Sequence, residues 1–176
     1  MIIEILQQLN WVDFLVIIIF LRIVFMAVSS GFALELFKLL GTLTSFYLSL
    51  HYFTFFTDWL DRRTPLAREK VPLQFMDFIS LLAIAALGYL IFVALRLVLD
   101  RFIKMEVNPA INRSVGLLLG IVRGGLLVCF VAFVMVVSSI GYLKDSVKDS
   151  YSGKRCFNGA VQAYSWMWNN VTSKFS

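Results

Sequence analysis

Apolar residues run along this chain in long, nearly unbroken stretches, without the alternation that marks a strand or helix facing water on one side. A helix needs about 20 mostly apolar residues to cross a hydrocarbon layer about 30 Å thick at about 1.5 Å per residue. Four stretches qualify. The first runs from Val12 to Ser30, with Asp13 and Arg22 as its charges; the second, Phe32 to Phe56, carries Glu35 and Lys38 early and no formal charge afterwards. The third, Phe78 to Leu95, has Asp77 placed to cap its start and Arg96 placed to snorkel beyond its end. The fourth begins at Ser114 and reaches Tyr142 with Arg123 alone charged inside it, a length that implies tilt. The first is the weakest of the four, and a short interfacial helix competes with it. No Lys or Arg precedes Arg22 and no small-residue cleavage site is evident, which disfavours a removable signal peptide.

The connections and the tail complete the expected architecture. Ser29, Ser30 and Gly31 form a tight turn, whereas Pro65 and Pro72 together with the charges from Asp58 to Lys70 predict a solvated loop. Asn108–Pro109 marks a turn in the charged Asp100–Arg113 connection between antiparallel neighbours. In the tail, Phe157, Ala160, Val161, Tyr164, Met167, Trp168 and Val171 recur at helical spacing, with Asn158, Gln162, Ser165, Asn169 and Ser173 largely opposite. Tyr151, Tyr164, Trp166 and Trp168 beside Lys154 and Arg155 suit the lipid headgroup zone, and docking on a partner protein is the competing reading. Asn170–Val171–Thr172 matches a glycosylation acceptor, a triplet that chance often produces. The chain is therefore expected to be all-α: a polytopic four-helix transmembrane domain over residues 1–143 and an interfacial, aromatic-rich tail with an amphipathic helix over 144–176.

Composition supports lipid as the solvent. The chain is 60% hydrophobic and 15% charged, against about 45–50% and about 25% in soluble domains. The net charge of +5 comes from Lys and Arg scattered at segment ends, which fits headgroups and not nucleic acid. Cys129 lies in the most apolar run and Cys156 in the tail, so no bridge is expected, and neither Cys–X–X–Cys nor Cys/His metal spacing exists. With no nucleophile–base set, phosphate-binding glycine loop or paired intramembrane carboxylates, the expectation is a non-enzymatic protein without cofactor or metal.

Two helical faces carry the remaining polar signal. At about 100° per residue, Gly31, Glu35, Lys38, Thr42, Ser45, Ser49 and Tyr52 share one arc of the second span. Arg113, Gly116, Gly120, Arg123 and Gly124 share one arc of the fourth, where Gly116, Gly120 and Gly124 permit close helix packing. A charge in lipid costs about 2.5–3.5 kcal/mol on insertion scales, so intramembrane charges turn to the bundle interior, to water or to each other. If the spans alternate, Glu35, Arg22, Lys38, Arg113 and Arg123 share one membrane half, and Glu35 is the counter-charge for Arg123 or Arg113, with Arg22 as a third candidate. The plainer reading is a pairing that holds the bundle together. The functional alternative is a polar vestibule in a small oligomeric channel or transporter. His51 is more often an interfacial polar residue than a proton relay.

Asn10–Trp11–Val12–Asp13 before the first span, Gly31–Phe32–Ala33–Leu34–Glu35 opening the second, and Asn112–Arg113–Ser114–Val115–Gly116 followed by Gly120 and Arg123–Gly124 resemble the colicin V production protein (CvpA) family over residues 10 to 140. The family usually has Asp where Asn112 stands. The resemblance implies a bacterial inner-membrane protein linked to colicin V production and envelope homeostasis, whose partners are the bilayer and further copies of itself or other envelope proteins. Lys and Arg divide almost evenly between the two sides, so the positive-inside rule does not orient the chain. Some relatives carry an extracytoplasmic protease domain after the last span, which implies that both termini face outward.

Overall fold

The computed structural model describes residues 9–63, 72–102, 109–138 and 140–170, and over these the chain forms six helices and no strand. Four are long: α1 (Trp11–Ser30), α2 (Phe32–Arg63), α3 (Leu73–Phe102) and α4 (Pro109–Val137). Two shorter ones follow, α5 (Gly141–Asp149) and α6 (Tyr151–Asn170). Each long helix contains a window apolar enough to cross a membrane. Their outward faces require lipid: Phe25 is 77% exposed, Leu97 65% and Ile91 64%, on helices with few polar neighbours. The protein is a multi-pass membrane protein.

Helix starts and stops follow local chemistry. Asn10 caps α1, its side chain accepting from the first turn while the Asp13 carboxylate accepts from the Asn10 backbone, a reciprocal capping box. The helix ends at Gly31, whose φ of 77° reverses the chain directly into α2. Phe32 N–H, orphaned at the new start, donates to Asn112 Oδ1 on α4.

The helices are longer than the apolar runs that mark them. α2 continues past Phe56 to Arg63, and its 32 residues span about 48 Å at about 1.5 Å each. Its last turns must project beyond a hydrocarbon layer of about 30 Å, since a helix satisfies its own backbone in water as in lipid. α3 begins directly after Pro72, so Asp77 lies in its second turn and does not cap it. α4 starts at Pro109 and stops at Val137, short of Tyr142. There the Ser138 hydroxyl bonds back to Met135 O, competing with continuation of the helix. The expected loop around Pro65, the turn at Asn108, Val171 and Thr172 of the sequon and the Arg96 side chain lie outside the described residues.

Within the bundle α4 packs between α1 and α2, and α3 covers the other side of α2. Glycine sets these approaches. A Cβ on Gly116 would stand 2.9 Å from the Gly31 carbonyl carbon, one on Gly124 3.1 Å from the Phe20 ring, and one on Gly120 would collide with the Ala27 Cβ. The glycine face of α4 is thus consumed against α1 inside one chain. Gly41 meets Phe92 and Gly88 meets Ser45 across the α2–α3 contact in the same way.

The tail is part of the packed body. Ala160 and Met167 of α6 are buried with Phe46, Leu50 and Leu81, and Val147 of α5 with Val12, Ala132 and Met135. The face expected to meet headgroups therefore meets the protein's own bundle at Ala160, Tyr164 and Met167, while Val161, Trp166 and Trp168 remain exposed.

Gly120→Leu is expected to destabilise the protein by about 3 kcal/mol or more, the upper end of the overpacking range, because Ala27 cannot retreat along α1. Gly125→Ala, where an added Cβ meets nothing within 4 Å, is expected to leave the unfolding temperature in mild detergent unchanged or raised. Equal behaviour of the two variants would show that the α1–α4 contact is not close-packed.

Candidate functional site

One buried charge centre lies where α1, α2 and α4 converge. Glu35, in the first turn of α2, is fully buried. Its Oε1 accepts from Lys38 Nζ at 2.8 Å, and its Oε2 lies 3.0 Å from Arg123 Nη2 on α4. Lys38 also donates to Ser30 Oγ at 2.9 Å, tying the end of α1 into the same group. Arg123 reaches Glu35 past Gly120, at which a Cβ would stand 3.7 Å from Glu35 Oε2. The glycine stripe and the ion pair are thus one construction: without a close α1–α4 approach, the guanidinium and the carboxylate would not meet.

Of the charges expected to gather here, Lys38 and Arg123 do and Arg22 and Arg113 do not. Arg22 is exposed on the lipid-side face of α1, between Leu21 and Phe25. Arg113 is exposed in the first turns of α4, beside Asn112 and Gly31, at the end of the helix where a long side chain can reach headgroups. Helical phase decides this, because depth alone places all five in one membrane half.

The hydroxyls of Thr42, Ser45 and Ser49 on the α2 stripe turn inward and are internally satisfied. Thr42, Ser45 and Ser49 are buried, and their hydroxyls donate to the carbonyls of Lys38, Ala85 and Phe46. Tyr52 alone of the stripe points out. A pocket of about 160 Å³ lies beside Thr42 and Ser45 between α2, α3 and α4, but Phe46, Leu127 and Phe130 make most of its wall apolar. Among the described residues no three His, Cys, Asp or Glu side chains gather as metal ligands.

A second polar centre joins the opposite end of α1 to the tail. Asp13 is fully buried, and besides capping α1 its Oδ1 accepts from Ser150 Oγ at 2.9 Å and from Ser152 N–H at 2.7 Å. One carboxylate thereby caps α1 and fixes the start of α6. Asn10 and Trp11 add donors to Ser146, and the Trp11 ring stacks on Tyr142. The Asn–X–X–Asp spacing signals the helix cap in the sequence; nothing in the sequence signals the tail as the second partner.

His51 sits at that same end. Its Nδ1 lies 3.1 Å from the Tyr164 hydroxyl, and the rings of Tyr47, Tyr52 and Trp168 surround it. Burial pushes the Tyr164 phenol above its ordinary range, so it stays protonated. Nearby, Cys129 on α4 and Cys156 on α6 are brought side by side, closely enough to share a hydrogen bond, although both thiols are free. Their distance along the chain predicts no such contact; the fold of α6 back onto α4 creates it.

Arg123→Leu is expected to cost about 3–5 kcal/mol, the penalty for leaving a buried charge without its partner. The Glu35→Leu/Arg123→Leu double variant is expected to recover most of that stability. Thermal unfolding of all three proteins in one mild detergent checks it. Additive losses would mean that the two side chains are not coupled.

Residues 12–159 of the chain match the model of a family described as Colicin V production protein. The match includes the charge centre, Asp13 with both of its tail donors, and both cysteines, so it extends beyond the 10 to 140 region read from motifs into the first half of α6. No curated protein and no solved structure matches the chain.

Proposed function

Since the chain belongs to the colicin V production protein family, we propose that it is a non-enzymatic component of the bacterial inner membrane. It supports colicin V production or export, and envelope homeostasis, by engaging other envelope proteins or further copies of itself. The observation that carries this reading is the commitment of the intramembrane polar groups. Both Glu35 oxygens face internal cations, and the Thr42, Ser45 and Ser49 hydroxyls face internal carbonyls. Arg123–Glu35 and Ser45–Ala85 tie separate helices together, while Thr42, Ser49 and the Lys38–Glu35 pair are engaged within α2 itself. A conducting path would instead keep them free to exchange ion hydration. Because α4 presents its glycine face to α1, any self-association would use other, exposed apolar faces of the bundle, such as those of α1 and α3.

In a colicin V-producing strain, deletion of this protein is expected to reduce secreted toxin to background. Wild type is expected to restore secretion and Arg123→Leu to fail, with vesicles containing the pure protein showing no ion flux. Flux through those vesicles that Glu35→Ala abolishes without unfolding the protein would favour a channel or transporter instead.

Both termini lie outside the cytoplasm in this reading. Support comes from relatives that carry an extracytoplasmic domain after the last span. Alkaline phosphatase fused after Lys148 is then expected to be active and green fluorescent protein at the same place dark; the reverse pattern would invert the topology.

A further inference from the structure

The two cysteines of this chain lie on different helices and meet. Along α4, Cys129 packs with the cluster that contains Ala160 of α6, and a Cβ on Gly159 would stand 3.3 Å from Cys129 Sγ. Gly159 follows Cys156 by three residues and so lies on the same face of α6, one turn away. The register is fixed on both sides. Phe157 stacks on Phe133 with ring centroids 5.9 Å apart, and the Asp13 carboxylate anchors Ser150 and Ser152 at the start of the helix. Cys156 in turn packs on the Val12, Ala132 and Met135 cluster. Neither thiol is needed by the charge centre, and no His, Asp or Glu set joins them as metal ligands among the described residues.

We propose that Cys129 and Cys156 are a thiol–disulfide exchange site whose oxidised form locks α6 onto α4. The oxidant is a disulfide, carried by a small molecule or by a protein oxidoreductase. Cys156 attacks one sulfur of that disulfide, forming a mixed disulfide and expelling the first thiol; Cys129 then attacks Cys156 Sγ and expels the second. One disulfide is consumed, two thiols are released, and the two cysteines lose two protons and two electrons. Cys156 is assigned the first attack because it lies on the tail helix, outside the membrane-spanning segments, and the hydrogen bond from Cys129 holds its thiol below the ordinary range. The bridge would covalently close the segment that contains the end of α4, all of α5 and the first turns of α6. The tail could then no longer leave the bundle, whatever happened at Asp13 or His51. This inference goes beyond the proposed role in toxin production.

The test uses the full-length protein in isolated membranes. Membranes are exposed to the disulfide donor 4,4′-dithiodipyridine, blocked with N-ethylmaleimide and denatured; freed thiols are then labelled with maleimide–polyethylene glycol with or without prior reduction. Because the chain has two cysteines, the bridge is expected to appear as a monomer that takes two labels only after reduction. Release of two pyridine thiones per chain, with no pyridyl adduct left on the protein, is the companion signal. Cys129→Ser and Cys156→Ser are each expected to retain one pyridyl adduct and to form no internal bridge, while Ser152→Cys/Cys156→Ser, which moves the thiol one turn along α6, is expected to close poorly. Stable adducts on both wild-type cysteines, or linkage between two chains instead of within one, would overturn the proposal.

Discussion

A carboxylate buried in the first turn of a membrane-spanning helix cannot be left uncompensated, and Glu35 is such a group. Its ion pair with Arg123 couples two helices separated by the whole of α3 in sequence, and its bond to Lys38 brings in Ser30 at the end of α1. Lipid supplies no hydrophobic force to press helices together, so packing and polar contacts between them must do it. The close approach at Gly116, Gly120 and Gly124 makes the ion pair geometrically possible, and the ion pair in turn favours that approach. Charge and glycine are therefore a single constraint on the bundle. The membrane raises its importance, because neither partner can fall back on water.

The opposite end of the molecule uses the same physics with a different geometry. Asp13 is also a buried carboxylate, yet it is satisfied by backbone and hydroxyl donors from Asn10, Ser150 and Ser152, without a cation. Acceptance of several N–H and O–H donors can stabilise a buried carboxylate as a counter-charge does. The consequence differs, because donors from a distant segment specify where that segment must dock. The tail is thereby drawn onto α1, α2 and α4, where Phe133, Cys129 and His51 meet Phe157, Cys156 and Tyr164. Trp166 and Trp168 remain partly exposed at the edge of this packing, the Trp168 ring also stacking on His51.

The multi-pass architecture was legible because hydrocarbon thickness imposes a length on every crossing helix, and stretches such as Phe78 to Leu95 meet it with almost no polar interruption. The inward stripe from Glu35 to Ser49 and the small-residue face of α4 were legible too, since helical phase follows from spacing alone. The ends of α2, α3 and α4 were not. Their polar last turns continue beyond lipid or stop at Ser138, where local backbone competition decides.

Sequence by itself determined that these helices exist, that they cross a membrane, and which face of each carries charge or glycine, because those properties are local and repeat with the helical period. Tertiary structure alone decided that Arg123, and not Arg22 or Arg113, meets Glu35, that Asp13 holds the tail, and that Cys129 lies against Cys156. Partner choice depends on how helices are rotated and offset against one another. No spacing within a single helix records that rotation; the packing of several helices at once fixes it.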